Sequence, residues 1–140
     1  MNSYKLKIIT PEKIFFDGEV TQIVVRTSEG NAGFLSGHID YVSNVVSGPL
    51  KVRETDEKKY RTAALSDGII IVSGGDITIL PEAAEWSDEI DLARAERAKK
   101  AAEEKIKSSK KSDSEFDMAQ VKLKRALARI SVYNQTHSEH

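Results

Sequence analysis

The chain has 140 residues, 39% of them hydrophobic and 31% charged, with a formal net charge of -1. That length and apolar content suit one modest core with an appendage, and the balanced charge gives no bias toward nucleic acid or an anionic membrane surface. Cysteine is absent, which removes disulfides, thiolate metal sites and cysteine nucleophiles and suits a reducing compartment.

The N-terminus, Met1-Asn2-Ser3-Tyr4-Lys5, leads into alternating residues without a secretory apolar stretch. Tyr4, Leu6 and Ile8 alternate with Lys5 and Lys7, the period of a half-buried strand. Lys13-Ile14-Phe15-Phe16 runs to Asp17-Gly18, a pair with a hairpin preference, and Val20 to Arg26 follows as the returning strand. Further strands are expected at Leu50–Arg53, Tyr60–Leu65, Gly68–Val72 and Ile77–Leu80, with Asp67-Gly68 and Gly74-Gly75-Asp76 as the turns between the last three. The longest apolar run, Ile69-Ile70-Ile71-Val72, is far too short to span a bilayer.

The chain changes character near Pro81. All eight glycines and all three prolines fall in residues 1–84, and both types are poor in helix interiors. Many short strands with turns between them predict an antiparallel β-sandwich or flattened barrel over 1–84. Residues 85–140 predict an antiparallel two-helix hairpin, so the fold class is α+β in two segments. The first helix is expected over about 88–107, with Ser87 as N-cap and Asp88, Glu89 and Asp91 in the first turn. Its apolar stripe is Leu92, Ala95, Ala98, Ala102 and Ile106. Ser108-Ser109-Lys110-Lys111 is the expected loop, and Ser112-Asp113-Ser114-Glu115 matches a capping box opening a second helix over about 114–133. That helix carries Phe116, Ala119, Leu123, Ala126, Leu127, Ile130 and Tyr133 on one face. Residues after Tyr133 have no apolar pattern and are expected to be a disordered tail. An alanine stripe buries little area, so the hairpin is expected to pack closely but weakly.

Several stretches resemble one family. Tyr4-Lys5-Leu6-Lys7-Ile8-Ile9-Thr10-Pro11-Glu12 and Lys13–Val20 resemble the opening of F-type ATP synthase epsilon subunits of bacterial type. Thr27–His38 resembles the family's glycine-rich segment, with Ser36 and Ile39-Asp40 departing from its usual residues. Ile90-Asp91-Leu92-Ala93-Arg94-Ala95 resembles the start of its first C-terminal helix, and Leu123–Ile130 resembles the second. The resemblance implies a non-catalytic central-stalk subunit bound to the gamma subunit and the c-subunit ring. Its hairpin would move between a compact state and an extended state that reaches the beta and alpha subunits and restrains ATP hydrolysis. The chain would then be a peripheral component on the cytoplasmic face of the membrane, held there only through the complex.

No catalytic constellation or phosphate loop is visible in the residues, and no metal site is expected. His38 stands alone in a glycine-rich segment, as a structural residue. His137 and His140 offer two ligands at most. Ser28, Ser36 and Ser66 have no evident base. No cofactor is required, but the resemblance implies ATP as a candidate regulatory ligand at Glu85, Ile90, Asp91, Arg94, Ala95, Arg125 and Arg129. Arginines pair well with phosphate oxygens, and carboxylates can accept from an adenine amino group or a ribose. A further arginine used by ATP-binding relatives is Ala101 here. Lys122, Lys124, Arg125 and Arg129 form a basic face suited to an acidic partner surface. The competing class is a free-standing nucleotide sensor with the same two parts.

Overall fold

In the computed structural model, which describes residues 2–55, 57–110 and 113–137, eight strands precede two helices. The strands are β1 (Tyr4–Ile9), β2 (Ile14–Thr27), β3 (Gly30–Leu35), β4 (Tyr41–Glu54), β5 (Arg61–Leu65), β6 (Gly68–Ser73), β7 (Asp76–Pro81) and β8 (Ala84–Trp86). The helices are α1 (Leu92–Ser108) and α2 (Ser114–His137).

Two long strands make the sandwich. β2 and β4 have 14 residues each, enough to serve two layers. The first half of β2 pairs with β1, and its second half pairs with β3 and β4. The first half of β4 pairs with β6, and its second half with β5 and β2. The ladder therefore closes on itself through β2, β1, β7, β6 and β4, with β3 on one side and β5 and β8 on the other. Closure removes free edges from the ring, as in a barrel. Pairing is antiparallel except between β1 and β7, where Leu6 faces Ile77 and Ile8 faces Ile79 in parallel.

The alternation in the sequence becomes the core. Tyr4, Leu6 and Ile8 of β1 point inward, as do Ile70 and Val72 of β6 and Ile77 and Ile79 of β7. Val20, Ile23, Phe34, Leu50 and Val52 complete a core of large, mostly branched side chains. Complete burial stabilises each by about 1.5–3 kcal/mol. The Tyr4 hydroxyl donates to the Phe34 carbonyl, tying β1 to β3, and burial pushes its phenol far above the usual range.

Turn chemistry separates two expectations. Gly74 and Gly75 have φ of 61° and 86° and join Ser73 to Asp76 in a two-residue hairpin, the backbone that glycine tolerates best. Asp17-Gly18 is not a turn. Asp17 pairs with Lys7 and Gly18 with Leu6 inside the β1–β2 ladder. The reversal comes earlier, at Thr10-Pro11-Glu12-Lys13, where Thr10 N–H donates to the Lys13 carbonyl at 2.9 Å and Thr10 Oγ1 accepts from Lys13 N–H at 3.2 Å. Proline pre-sets the turn there, and the Asx-Gly signal is overridden by pairing. Gly68 has a different reason: a Cβ would overlap the Leu80 carbonyl oxygen and Pro81 Cα.

The sheet runs on to Trp86, two residues beyond the boundary expected at 84, because Ala84, Glu85 and Trp86 pair with Leu65, Ala64 and Ala63. Trp86 stacks on Phe15 at 4.6 Å between centroids, and the Arg61 guanidinium lies 3.8 Å over its ring. This stack fills the gap between β8 and the start of β2.

The helical limits also differ from expectation. Residues 87–89 form a single 3₁₀ turn, and α1 starts at Leu92 with Asp91 as N-cap, not Ser87. The Asp91 carboxylate accepts from Arg94 N–H at 3.1 Å. Extended backbone at Ile90 separates the turn from the helix. Ser112 of the expected capping box, the Lys111 end of the expected loop and His140 lie outside the described residues. At the second helix start, the Asp113 carbonyl accepts from Phe116 N–H at 3.1 Å. α2 runs past Tyr133 to His137, so the expected disordered tail begins too early. Thr136 donates to the Val132 carbonyl at 2.9 Å, and the His137 ring stacks on Tyr133 at 3.8 Å, local bonds that continue the helix without an apolar pattern.

Candidate functional site

The two helices meet through alanine. Ala95 and Ala102 of α1 and Ala119 and Ala126 of α2 are buried, so the backbones approach closely while little apolar area is removed from water. The expected α2 face holds in part. Leu127 is 45% exposed, and Ala128 and Val132, absent from that face, are buried instead. They turn toward the sheet and pack with Ala64 of β5, Ile90 and Tyr133. α2 thus carries two apolar faces, one for α1 and one for the sandwich. The Ala128–Val132 spacing is a helical signal, but a single stripe read from the sequence hides it. α1 packs on α2, and α2 packs on β4, β5 and the 3₁₀ turn.

The residues proposed for ATP separate into groups. Glu85, on β8, faces Arg129 of α2, and the two form an ion pair with Oε1 and Nε 3.0 Å apart. Arg125 lies one turn before Arg129. Its Nε is buried and has no hydrogen-bond partner among the described residues, a cost of about 1–3 kcal/mol for an unsatisfied buried donor. Ile90 is buried in the small cluster under α2, and Ala95 in the helix–helix interface. Asp91 is occupied in capping α1. Arg94 is exposed and its backbone, not its guanidinium, serves that cap.

A groove of about 690 Å³ runs between α1 and α2, within the size range of small-molecule sites. Arg125, Arg129, Lys122 and Lys105 bring cations to it, Glu115 an acid, and Ala101 and Met118 part of the apolar wall. Lys105 and Glu115 neutralise each other at 3.2 Å. Glu85, Asp91 and Arg94 do not line this groove. On the sheet side, Glu85, Arg125 and Arg129 line only a crevice of about 30 Å³, enough for a water molecule and too little for a nucleotide. The structure therefore brings Arg125 and Arg129 to one groove, pairs Glu85 with one of them, and leaves Asp91 and Arg94 apart. Of the four residues of the basic face, Lys122 shares the groove with the arginines, whereas Lys124 stands on the opposite flank beside Leu127 and Pro49.

His38 and Ser66 make local contacts. The His38 ring packs 4.7 Å from Phe34, and its Nδ1 lies 3.0 Å from the Ile39 carbonyl oxygen. Ser66 Oγ accepts from Ala83 N–H at 2.7 Å. Among the described residues, no group of three or more His, Asp or Glu side chains is placed to hold a metal ion, and no helix is long and apolar enough to cross a membrane.

This architecture has close relatives. Residues 3–87 match the family model for the beta-sandwich domain of the ATP synthase delta/epsilon chain, and residues 88–134 match that for its long alpha-helix domain. An ATP synthase epsilon chain of Ruminococcus albus is 48% identical over 135 residues, covering 96% of this chain and 98% of the relative. One from Clostridium novyi is 42% identical over 130 residues, covering 93% and 97%. A chain in the structure of the Euglena gracilis mitochondrial ATP synthase superimposes with a TM-score of 0.77 at 22% identity, covering 99% of this chain and 82% of that one. With both domains in order and near-complete coverage by bacterial relatives, the chain belongs to the ATP synthase delta/epsilon family and, within it, to the bacterial F-type epsilon chains.

Proposed function

We propose that this chain is a non-catalytic central-stalk subunit whose sandwich binds the gamma subunit and the c ring and whose hairpin regulates ATP hydrolysis. The observation that carries the reading is the inequality of the two interfaces. The sandwich is a closed ring around large side chains, suited to a permanent mechanical role. The hairpin rests on it through the packing of α2 on β4 and β5, a small cluster of Ala64, Ile90, Ala128, Val132 and Tyr133, and one half-exposed ion pair, which suits an element that changes place. In this reading the described form is the compact state, and the extended state carries Lys122, Lys124, Arg125 and Arg129 to acidic surface on the beta and alpha subunits.

ATP is the candidate ligand of the compact state, and no cofactor is required. Arg125 and Arg129 would supply charge-assisted hydrogen bonds to phosphate. Arg94, Asp91 and Glu85 would have to turn toward the groove, with Ile90 and Ala95 holding the backbone that carries them. A ligand that binds only the compact form favours it by about 2.7 kcal/mol at a hundredfold excess over its Kd. Ala101 brings no cation to the groove wall, which weakens the site. Association with the membrane is through the complex alone, on the cytoplasmic face.

ATP hydrolysis by the reconstituted complex tests both parts. A chain cut after Glu89 keeps Trp86 and the whole ring, and its complex should hydrolyse ATP faster than one with the full chain. Full-length Arg125→Ala, which also removes one contact of the extended state, should weaken the restraint and lose its relief at millimolar ATP. Equal rates for cut and full-length chains would remove the regulatory role. Unaltered relief in Arg125→Ala would remove the nucleotide.

A further inference from the structure

We propose that Glu85 and Arg129 form an electrostatic latch that sets how much of the chain keeps its hairpin on the sandwich when no ligand is bound. The proposal rests on the reading of the hairpin as movable, and not on nucleotide binding.

The geometry places the pair where it can act. Glu85 belongs to β8, a three-residue strand at the end of the sheet, anchored by pairing with Ala64. Arg129 belongs to α2, between Ala128 and the half-buried Ile130. The Nε–Oε1 distance is 3.0 Å, and both side chains are 36% exposed. The pair therefore bridges the fixed and the movable part, and it is the one ion pair between them among the described residues. The other two link Arg61 to Glu54 inside the sandwich and Lys105 to Glu115 inside the hairpin.

Its weight comes from its surroundings. A partly exposed ion pair contributes little in most proteins, through screening and side-chain entropy. Here the apolar cluster beside it is small, with Ala64 and Ile90 set against Ala128, Val132 and Tyr133. The pair therefore adds a charge contact to the packing of α2 on β4 and β5. It is also directional. A lone arginine at 129 or a lone glutamate at 85 would lose its partner on closing, and reversing both charges would restore it.

The absence of cysteine makes the test direct. Exposed Lys7 of β1 and Lys100 of α1 are replaced as Lys7→Cys and Lys100→Cys, and spin labels there report the sandwich-to-hairpin distance by pulsed electron paramagnetic resonance without nucleotide. Glu85→Gln and Arg129→Gln should each move the compact-to-extended ratio roughly two- to fivefold toward extended, the scale of a half-exposed pair. The double reversal Glu85→Arg with Arg129→Glu should return the ratio part of the way to the wild-type value, since Arg125 lines the same crevice. Raising salt should shift the wild type and leave Glu85→Gln unmoved. Far-ultraviolet circular dichroism confirms that each variant keeps its helices. Val132→Asp serves as a reference that disrupts the apolar contact. If it releases the hairpin and neither single variant does, the latch is wrong and the movable hairpin stands. If none of the variants changes the distances, both fail. Failure of the double reversal to rescue would also overturn the latch.

Discussion

The sandwich and the hairpin solve the same problem, burying apolar surface, with opposite materials. The sandwich uses leucine, isoleucine, valine and phenylalanine, closed in a ring. The hairpin uses alanine on both helices, with valine in one place. Removing a large core side chain leaves a cavity, so the sandwich is intolerant of change. An alanine interface has little to lose, and its stability depends on caps, helix propensity and a few polar contacts. Stability in this chain is therefore unevenly distributed along the sequence, with the strong part first and the conditional part last.

The contrast can be broken from the sandwich side. Leu6→Ala should cost about 2–5 kcal/mol, since Leu6 is fully buried between β2 and β7. Chemical denaturation should show the loss of the strands moved to lower denaturant. A loss confined to the helices would contradict it. A smaller and local effect is expected from Asp91→Ala, which removes the α1 cap at a cost of about 1 kcal/mol. Hydrogen exchange should quicken in the first turn of α1 while β1, β6 and β7 exchange as before. The smallest effect is expected from Leu127→Ser. A surface substitution of this kind changes stability by less than about 0.5 kcal/mol, and Leu127 is 45% exposed. A larger loss on denaturation would show that Leu127 packs as the expected α2 face had it.

Much of the sandwich was legible because its physics is local and periodic. Tyr4, Leu6 and Ile8 alternate with lysines, and Gly74-Gly75 needs only its own backbone to make a hairpin. Ring closure was not legible, since it depends on β2 and β4 pairing with different partners at their two ends. Asp17-Gly18 misled for the same reason: a turn preference is weaker than a ladder of paired strands. For the helices, composition announced their existence, but their limits depended on which acid turned inward to cap. Ser87 and Asp91 are both good caps, and the pairing of β8 with β5 decided between them by holding the chain extended to Trp86. In the candidate site, the arginines and Glu85 were identifiable by resemblance. That Glu85 lies against Arg129, and that Asp91 and Arg94 stand away from the groove, is a matter of how α2 crosses the sheet. No spacing in the chain encodes that crossing.

The closed ring has a mechanical meaning. In an open sheet, force on an edge strand peels it, breaking hydrogen bonds one after another. In a ring of β2, β1, β7, β6 and β4 no strand of the ring can leave alone, and a load at one end is shared as shear over several ladders at once. The chain connection to the hairpin leaves beyond β8, through the extended residue Ile90, and so lies outside the ring of paired strands. A body built this way can bear a load across the ring without passing it through the covalent link to the hairpin.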